Sequence, residues 1–362
     1  MPNFKTGEIS EVVDSRNGLT RVKVKVGGEI RSATNVDALS GNVNVGDRVV
    51  LNTTAVDLEL GTGGQDFVLW NLARESYEAS SGGHIMKMRY TPCQVDVMSA
   101  EAPESEHHDA LVECTSLGGM PVVACSLHSQ LAPAATMLKL FDPDIRIAYL
   151  MTDGGSLPLV QSDLVQALRD KDLIDATVTC GHAFGGDYEA VNMYSGLVTA
   201  SEIAAADITI AAMGPGVVGT GTMLGHSAME QGQVISAAAA LGGRPIAALR
   251  ISFADERPRH RGVSHHTLAA LRFGAVARCT MAVPDLPVDL LTEVMEALIG
   301  EGLTEMHDVR IVDAWETLPS LEKFGLEDLT SMGRRLNDDP HFFEAAGAAG
   351  LLAGQVLYQT EE

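Results

Sequence analysis

The chain has 362 residues, 46% of them apolar and 20% charged, enough to bury a large core and to fill two domains of ordinary size. Its 25 lysines and arginines face 48 aspartates and glutamates, a net charge of −23. A field of that sign repels phosphate backbones and anionic lipid, so nucleic acid and membrane surfaces are excluded as general partners.

Residues 1–80 read as a small β-barrel. Arg21-Val22-Lys23-Val24-Lys25-Val26 alternates strictly, with valines on one strand face and cations on the other. Gly27-Gly28 then turns the chain into a second strand over Glu29 to Val36, a hairpin signal. Val45 to Leu51 is a turn entering another strand, and Val56 to Leu60 and Phe67 to Leu72 bring the total to five or six. The Arg21, Lys23 and Lys25 stripe is read as a solvated face. Residues 1–75 hold eight basic and ten acidic side chains, and only Phe4, Phe67 and Trp70 could stack on bases. The softest linker is Ser80-Ser81-Gly82-Gly83.

Residues 90–362 read as an α/β domain, a mainly parallel, Rossmann-like sheet with helices on both faces. Strands are expected at Gln94–Met98, Pro121–Cys125, Arg146–Met151, Ala176–Cys180, Ile208–Met213, Pro245–Ile251, Ala275–Val283 and Val309–Val312. Helices are expected at Leu131–Leu140, Ser162–Lys171, Tyr194–Ala206, Met229–Leu241 and Val288–Gly300, with a terminal helix after Asp339-Pro340. The stretch Phe342 to Tyr358 is about three residues short of a membrane span and carries Glu344. Its run Ala345-Ala346-Gly347-Ala348-Ala349-Gly350 permits close helix approach, and a homodimer is expected through it. Five scattered cysteines without a CxxC pair, and an N-terminus unlike a signal peptide, predict a cytoplasmic protein.

In open α/β sheets ligands bind beyond the carboxyl ends of the strands. Each predicted strand here runs into a different polar or glycine-rich segment. These place His128, Asp153, His182 with Asp187, and Gly214 to Thr222 on one expected edge. Gly214-Pro215-Gly216-Val217-Val218-Gly219 matches GxGxxG between a strand and a helix-like stretch. Rossmann-type NAD binding is disfavoured, because the motif follows the fifth strand and the acidic residue expected at the end of the next strand is missing. The same glycines, with Gly221 and Thr222, suit a phosphate or carboxylate cradle.

Residues 244–278 carry seven arginines (Arg244, Arg250, Arg257, Arg259, Arg261, Arg272 and Arg278) against Asp255 and Glu256, a local charge of +5. Arg257, Arg259 and Arg261 share a loop where mutual repulsion favours an anion between them. Salt bridges to the acidic remainder, or a subunit contact, are the competing reading. His128, His182 and His226 lie in separate strand-end loops, and His260, His265 and His266 follow the arginines. Imidazole suits proton transfer, and His128 or His182 is assigned that role, with Asp153 or Asp187 orienting it. Neither HExxH nor CxxC spacing marks a zinc site, whereas Asp153, Asp187 and Glu189 could hold Mg²⁺ through oxygen.

At Asn52-Thr53-Thr54-Ala55-Val56, Cys125-Ser126-Leu127-His128-Ser129, Met151-Thr152-Asp153-Gly154, Gly181-His182-Ala183-Phe184-Gly185-Gly186-Asp187 and Met213-Gly214-Pro215-Gly216 the chain resembles an uncharacterised bacterial domain-of-unknown-function family, number 3866. The resemblance covers nearly the whole chain and implies no activity. The residues themselves favour an enzyme acting on a small anionic metabolite, phosphorylated or carboxylated. A non-catalytic sensor or scaffold, with the barrel as interaction module, is the alternative.

Overall fold

The structure is a computed structural model that describes residues 1–61, 63–79 and 81–359. Ser80, the first residue of the expected linker, lies outside the described residues. The chain divides into two compact units, Met1–Val97 and Met98–Glu362.

The first unit is a closed barrel of β1 (Phe4–Arg16), β2 (Leu19–Val26), β3 (Glu29–Val36), β4 (Arg48–Asn52) and β5 (Asp66–Asn71), in the order β1-β2-β3-β5-β4. The β2 alternation does what its pattern requires: Val22 and Val24 join Ile9, Ala33, Val49 and Leu51 in the barrel core. Arg21 and Lys23 point outward, to Asp14 and Ser32. The stretch from Val56 to Leu60, expected as a strand, instead contributes to a helical turn, Thr54–Asp57. The Asn52 carboxamide oxygen accepts from the Thr54 amide at 3.1 Å, and Thr53 Oγ1 donates to Asp57 at 2.8 Å. These local bonds outcompete a ladder. Gln94–Met98 also departs from expectation. Its central residues form β7 (Val95–Val97), which pairs antiparallel with β6 (Ile85–Lys87) in the first unit and takes no part in the parallel sheet.

The second unit holds eight parallel strands: β8 (Pro121–Ala124), β9 (Ile147–Thr152), β10 (Ala176–Thr179), β11 (Tyr188–Glu189), β12 (Ile208–Met213), β13 (Arg244–Ala248), and, beyond the short hairpin of β14 (Ile251–Ser252) and β15 (Gly262–Val263), β16 (Thr280–Pro284) and β17 (Asp308–Val312). Their order is β11-β10-β9-β12-β8-β13-β16-β17. Alternate residues of one strand feed opposite cores. Ile147, Tyr149 and Met151 pack under the helices Leu131–Phe141, Asp163–Asp170 and Pro340–Leu357. Ala148 and Leu150 pack under Met193–Glu202, Glu230–Ala240 and Val288–Gly300. Burial on both faces is why these strands are apolar throughout.

The terminal helix spends its small residues within the chain. A Cβ on Gly350 would lie 2.2 Å from the Ala134 carbonyl oxygen, one on Gly347 2.1 Å from Thr317 Oγ1, and one on Gly354 2.7 Å from Phe141. The stripe expected to receive a second copy therefore receives the helices Leu131–Phe141 and Thr317–Lys323. Asp339 precedes the helix as expected, but its carboxylate makes no capping bond and accepts from Ser252 and Arg334 instead. Among the described residues no helix is long and apolar enough to cross a membrane.

Candidate functional site

The parallel sheet brings the carboxyl ends of β8, β9, β10, β12 and β13 to one edge, and the residues beyond them fall into separate groups. His128 lines a cavity of about 650 Å³ between the ends of β8 and β12, with Leu127, Ser129, Gly214, Gly216 and Val217. Its ring is fully engaged. Nδ1 lies 3.2 Å from both the Met213 carbonyl oxygen and the Tyr149 hydroxyl. A carbonyl only accepts, so Nδ1 carries the proton and Nε2 accepts from Ser162 Oγ at 2.7 Å. Burial drives this imidazole down to about 4, so it is neutral at pH 7. With both nitrogens committed, it clamps three elements and has none free for a substrate.

Asp153 and His182 are neighbours across β9 and β10: the His182 amide donates to the Asp153 carboxylate at 2.9 Å. Asp153 lines a second cavity of about 440 Å³ with Cys180, Asn192 and Tyr194. Asp187 is committed elsewhere, accepting from Arg169 at 2.8 Å and from the amide and hydroxyl of Thr177, both at 2.9 Å. Glu189 accepts from Thr179 Oγ1 at 2.7 Å and the Gly185 amide at 2.6 Å. These acids bind their own fold, and among the described residues Asp153, Asp187 and Glu189 form no group that could hold one ion.

The glycine motif does not enter a helix. After Gly214 the chain stays irregular until the short turn Ser227–Met229 and the helix starting at Glu230, so the motif lacks a helix dipole. Gly214 is required by packing, since its Cβ would sit 2.4 Å from the Ser156 carbonyl oxygen. Further on, Gly219 bridges antiparallel to His226, Thr220 donates its amide to Gly225 at 2.9 Å, and Thr222 Oγ1 accepts from the Gly225 amide at 3.1 Å. Thr222 thus braces the turn. The amides of Gly216, Gly219 and Gly221 make no hydrogen bond among the described residues.

The arginines divide sharply. Asp255, only 5% exposed, takes both ends of Arg257 at 2.9 and 2.7 Å and also faces Arg334 and Arg250, at 3.3 and 3.7 Å. These cations hold its carboxyl far below the usual carboxylate range. Arg261 donates to the Phe253 carbonyl at 2.6 Å and lies over that ring. Arg244 caps the end of the terminal helix through the Val356 carbonyl, Arg272 pairs with Glu301, and Arg278 pairs with Asp308. Salt bridges and carbonyl contacts therefore account for most of the +5 segment. Arg259 is the exception: it makes no ion pair or hydrogen bond among the described residues, and its guanidinium carbon lies 3.9 Å from where a Cβ would stand on Gly221.

Beside this loop four histidines converge. Ser264 caps the helix His265–Ala269, accepting from the His266 amide at 3.3 Å, which fixes both histidines in the first turn. The His266 ring stacks on His226 at 3.9 Å between centroids; His265 stands 4.4 Å from His266, and His260 stands 4.9 Å from each of His265 and His266. Burial, reinforced by Arg250 and by the neighbouring rings, pushes His260 down to about 3 and His266 to about 2, and lowers His226 and His265. The cluster is neutral at pH 7. His226 Nδ1, His265 Nε2 and His266 Nδ1 are buried without a hydrogen-bond partner among the described residues, as is Arg250 Nη2.

A family model described as "Protein of unknown function (DUF3866)" matches residues 32–350. The chain belongs to that family. No curated protein and no solved structure matches it.

In this DUF3866 protein Gly219, Gly221, Thr222, Arg259 and His265 share one neighbourhood. His128, the Asp153–His182 pair and Asp187 occupy three others. The residues that sequence reasoning underrated are His226 and His266, which flank Gly219: a Cβ there would lie 2.9 Å from His266 Nε2. Their only signal in the chain was the adjacent pair His265-His266, because the strand order that brings His226 to them leaves no fixed spacing.

Proposed function

We propose that the α/β unit is a cytoplasmic enzyme that binds a small anionic metabolite, phosphorylated or carboxylated, over the Gly219–Gly225 loop. Arg259 carries this reading. Among the described residues it is a guanidinium without an acidic partner, set against a turn whose Gly219 and Gly221 amides are also unpaired. Guanidinium and amide donors together suit phosphate and carboxylate oxygens. The unpaired imidazoles favour an enzyme over a sensor. Each buried polar atom left without a partner costs about 1–3 kcal/mol, a penalty a passive binding module has no reason to carry three times in one place. His226, His265 and His266 replace His128 as the groups for the chemistry, because they offer free lone pairs.

The test is a thermal-shift screen of inorganic phosphate, phosphorylated metabolites and carboxylates. A ligand at about 100 times its Kd adds about 2.7 kcal/mol, which for a domain of this size raises Tm by roughly 5–10 °C. Arg259→Gln abolishes the shift and leaves the unliganded Tm within about 1 °C, since an exposed cation contributes little to folding. No shift with any anion, or an undiminished shift in the variant, refutes the site.

A further inference from the structure

We infer that His226, His265 and His266 form a site for one divalent transition-metal ion of the zinc class. One ligand nitrogen from each residue lies within 4.8 Å of the other two. Each residue has one fully buried ring nitrogen without a hydrogen-bond partner among the described residues: His226 Nδ1, His265 Nε2 and His266 Nδ1. His226 is 7% exposed and His266 5%, so bulk water does not satisfy them.

The tautomer at His226 is already that of a ligand. Its Nε2 lies 2.9 Å from the Met223 carbonyl oxygen. That contact requires the proton on Nε2 and leaves Nδ1 as a bare lone pair, the outer-shell arrangement that orients metal-binding histidines. All-imidazole donors select Zn²⁺, Co²⁺, Ni²⁺ or Cu²⁺ and disfavour Mg²⁺ and Ca²⁺, which take oxygen. Tetrahedral zinc holds its ligand nitrogens about 3.4 Å apart, so the rings close by up to about 1.5 Å on loading, through χ1 and χ2. His265 is the half-buried member of the three.

Arg250 opposes the added charge, and Asp255, 3.7 Å from its Nη2 and shared with Arg257 and Arg334, offsets part of it together with Asp339. Three protein ligands leave a fourth position for water or an anion, the pattern of catalytic rather than structural zinc. Gly219, whose Cβ position lies 2.9 Å from His266 Nε2, borders the cluster, with Gly221 and Arg259 close by. The metal site shares this location with the anion-binding reading but does not depend on it.

The experiment uses the full chain, stripped by a chelator and titrated with Zn²⁺ by calorimetry and with Co²⁺ by visible absorption. One ion per chain is expected, with ligand-field bands of low coordination number. His226→Asn and His266→Asn each weaken binding by at least about 100-fold, while His107→Asn, outside the cluster, leaves it unchanged. If the cluster variants fail to fold, X-ray absorption of the zinc-loaded wild type decides, through a nitrogen/oxygen shell with outer scattering from three imidazoles. Absence of stoichiometric binding, a shell without imidazole, or wild-type affinity in folded cluster variants overturns the inference. Arg259→Gln separates the two proposals: it retains zinc and loses the anion. Zinc binding without any anion response removes only the proposed ligand, and the reverse result removes only the metal.

Discussion

Gly350 sits inside the helix Pro340–Leu357, where its replacement by alanine would ordinarily gain up to about 1 kcal/mol of helix propensity. The structure reverses the sign. An alanine Cβ at this position lies 2.2 Å from the Ala134 carbonyl oxygen and 2.8 Å from its carbonyl carbon and Cα. These are backbone atoms of the helix Leu131–Phe141, and no rotamer change removes them. Ordinary contact begins at 3.4 Å, so the two helices must part by about 1.2 Å, or tilt, across a close-packed layer. Overpacking of this kind costs about 1–3 kcal/mol, and a rigid partner puts Gly350→Ala at the upper end, for a net loss of about 2 kcal/mol. Gly300, the last residue of Val288–Gly300, has nothing within 4 Å of its Cβ position, and Gly300→Ala is neutral or stabilising by up to about 1 kcal/mol. Urea unfolding at one pH, with sedimentation on the same samples, reads both quantities. Wild-type stability in Gly350→Ala refutes the packing argument. A shift from dimer to monomer at unchanged stability moves the helix to a subunit contact.

Two further predictions concern residues with structural duties. His128 is held neutral down to about 4 against an ordinary 6.5, so between those values the unfolded chain binds a proton that the folded chain refuses. Stability therefore falls as pH drops from about 6.5 to about 4, by about 3 kcal/mol from this residue alone, and urea unfolding of His128→Gln across that range gives a profile flatter by that amount; parallel profiles refute the assignment. Asp187→Ala strips the Thr177 amide, on a fully buried residue, of its acceptor. It lowers stability by about 1–3 kcal/mol and leaves zinc and anion binding unchanged in the same titrations; a loss of binding at full stability would return Asp187 to the site.

What sequence alone determined here is what short-range periodicity controls. Val22 and Val24 on β2, the buried runs Ile147–Thr152 and Ile208–Met213, and the helix Val288–Gly300 follow from patterns of two or 3.6 residues read over less than one element. Two local competitions were lost: the side chains of Asn52 and Thr53 curl residues 54–57 into a helical turn, and β6 claims Val95–Val97. The site lay beyond that range. Clustered arginines look alike in sequence, yet Asp255 and the Phe253 carbonyl occupy Arg257 and Arg261 while Arg259 stays unpaired among the described residues, a distinction made by how the loop folds on itself. His226 meets His265 and His266 because the Gly219–His226 bridge folds one strand-end loop back while Ser264 starts a helix beside it. Imidazoles nearly forty residues apart carry no periodic mark, and only packing of the sheet decides which of them share a dry pocket.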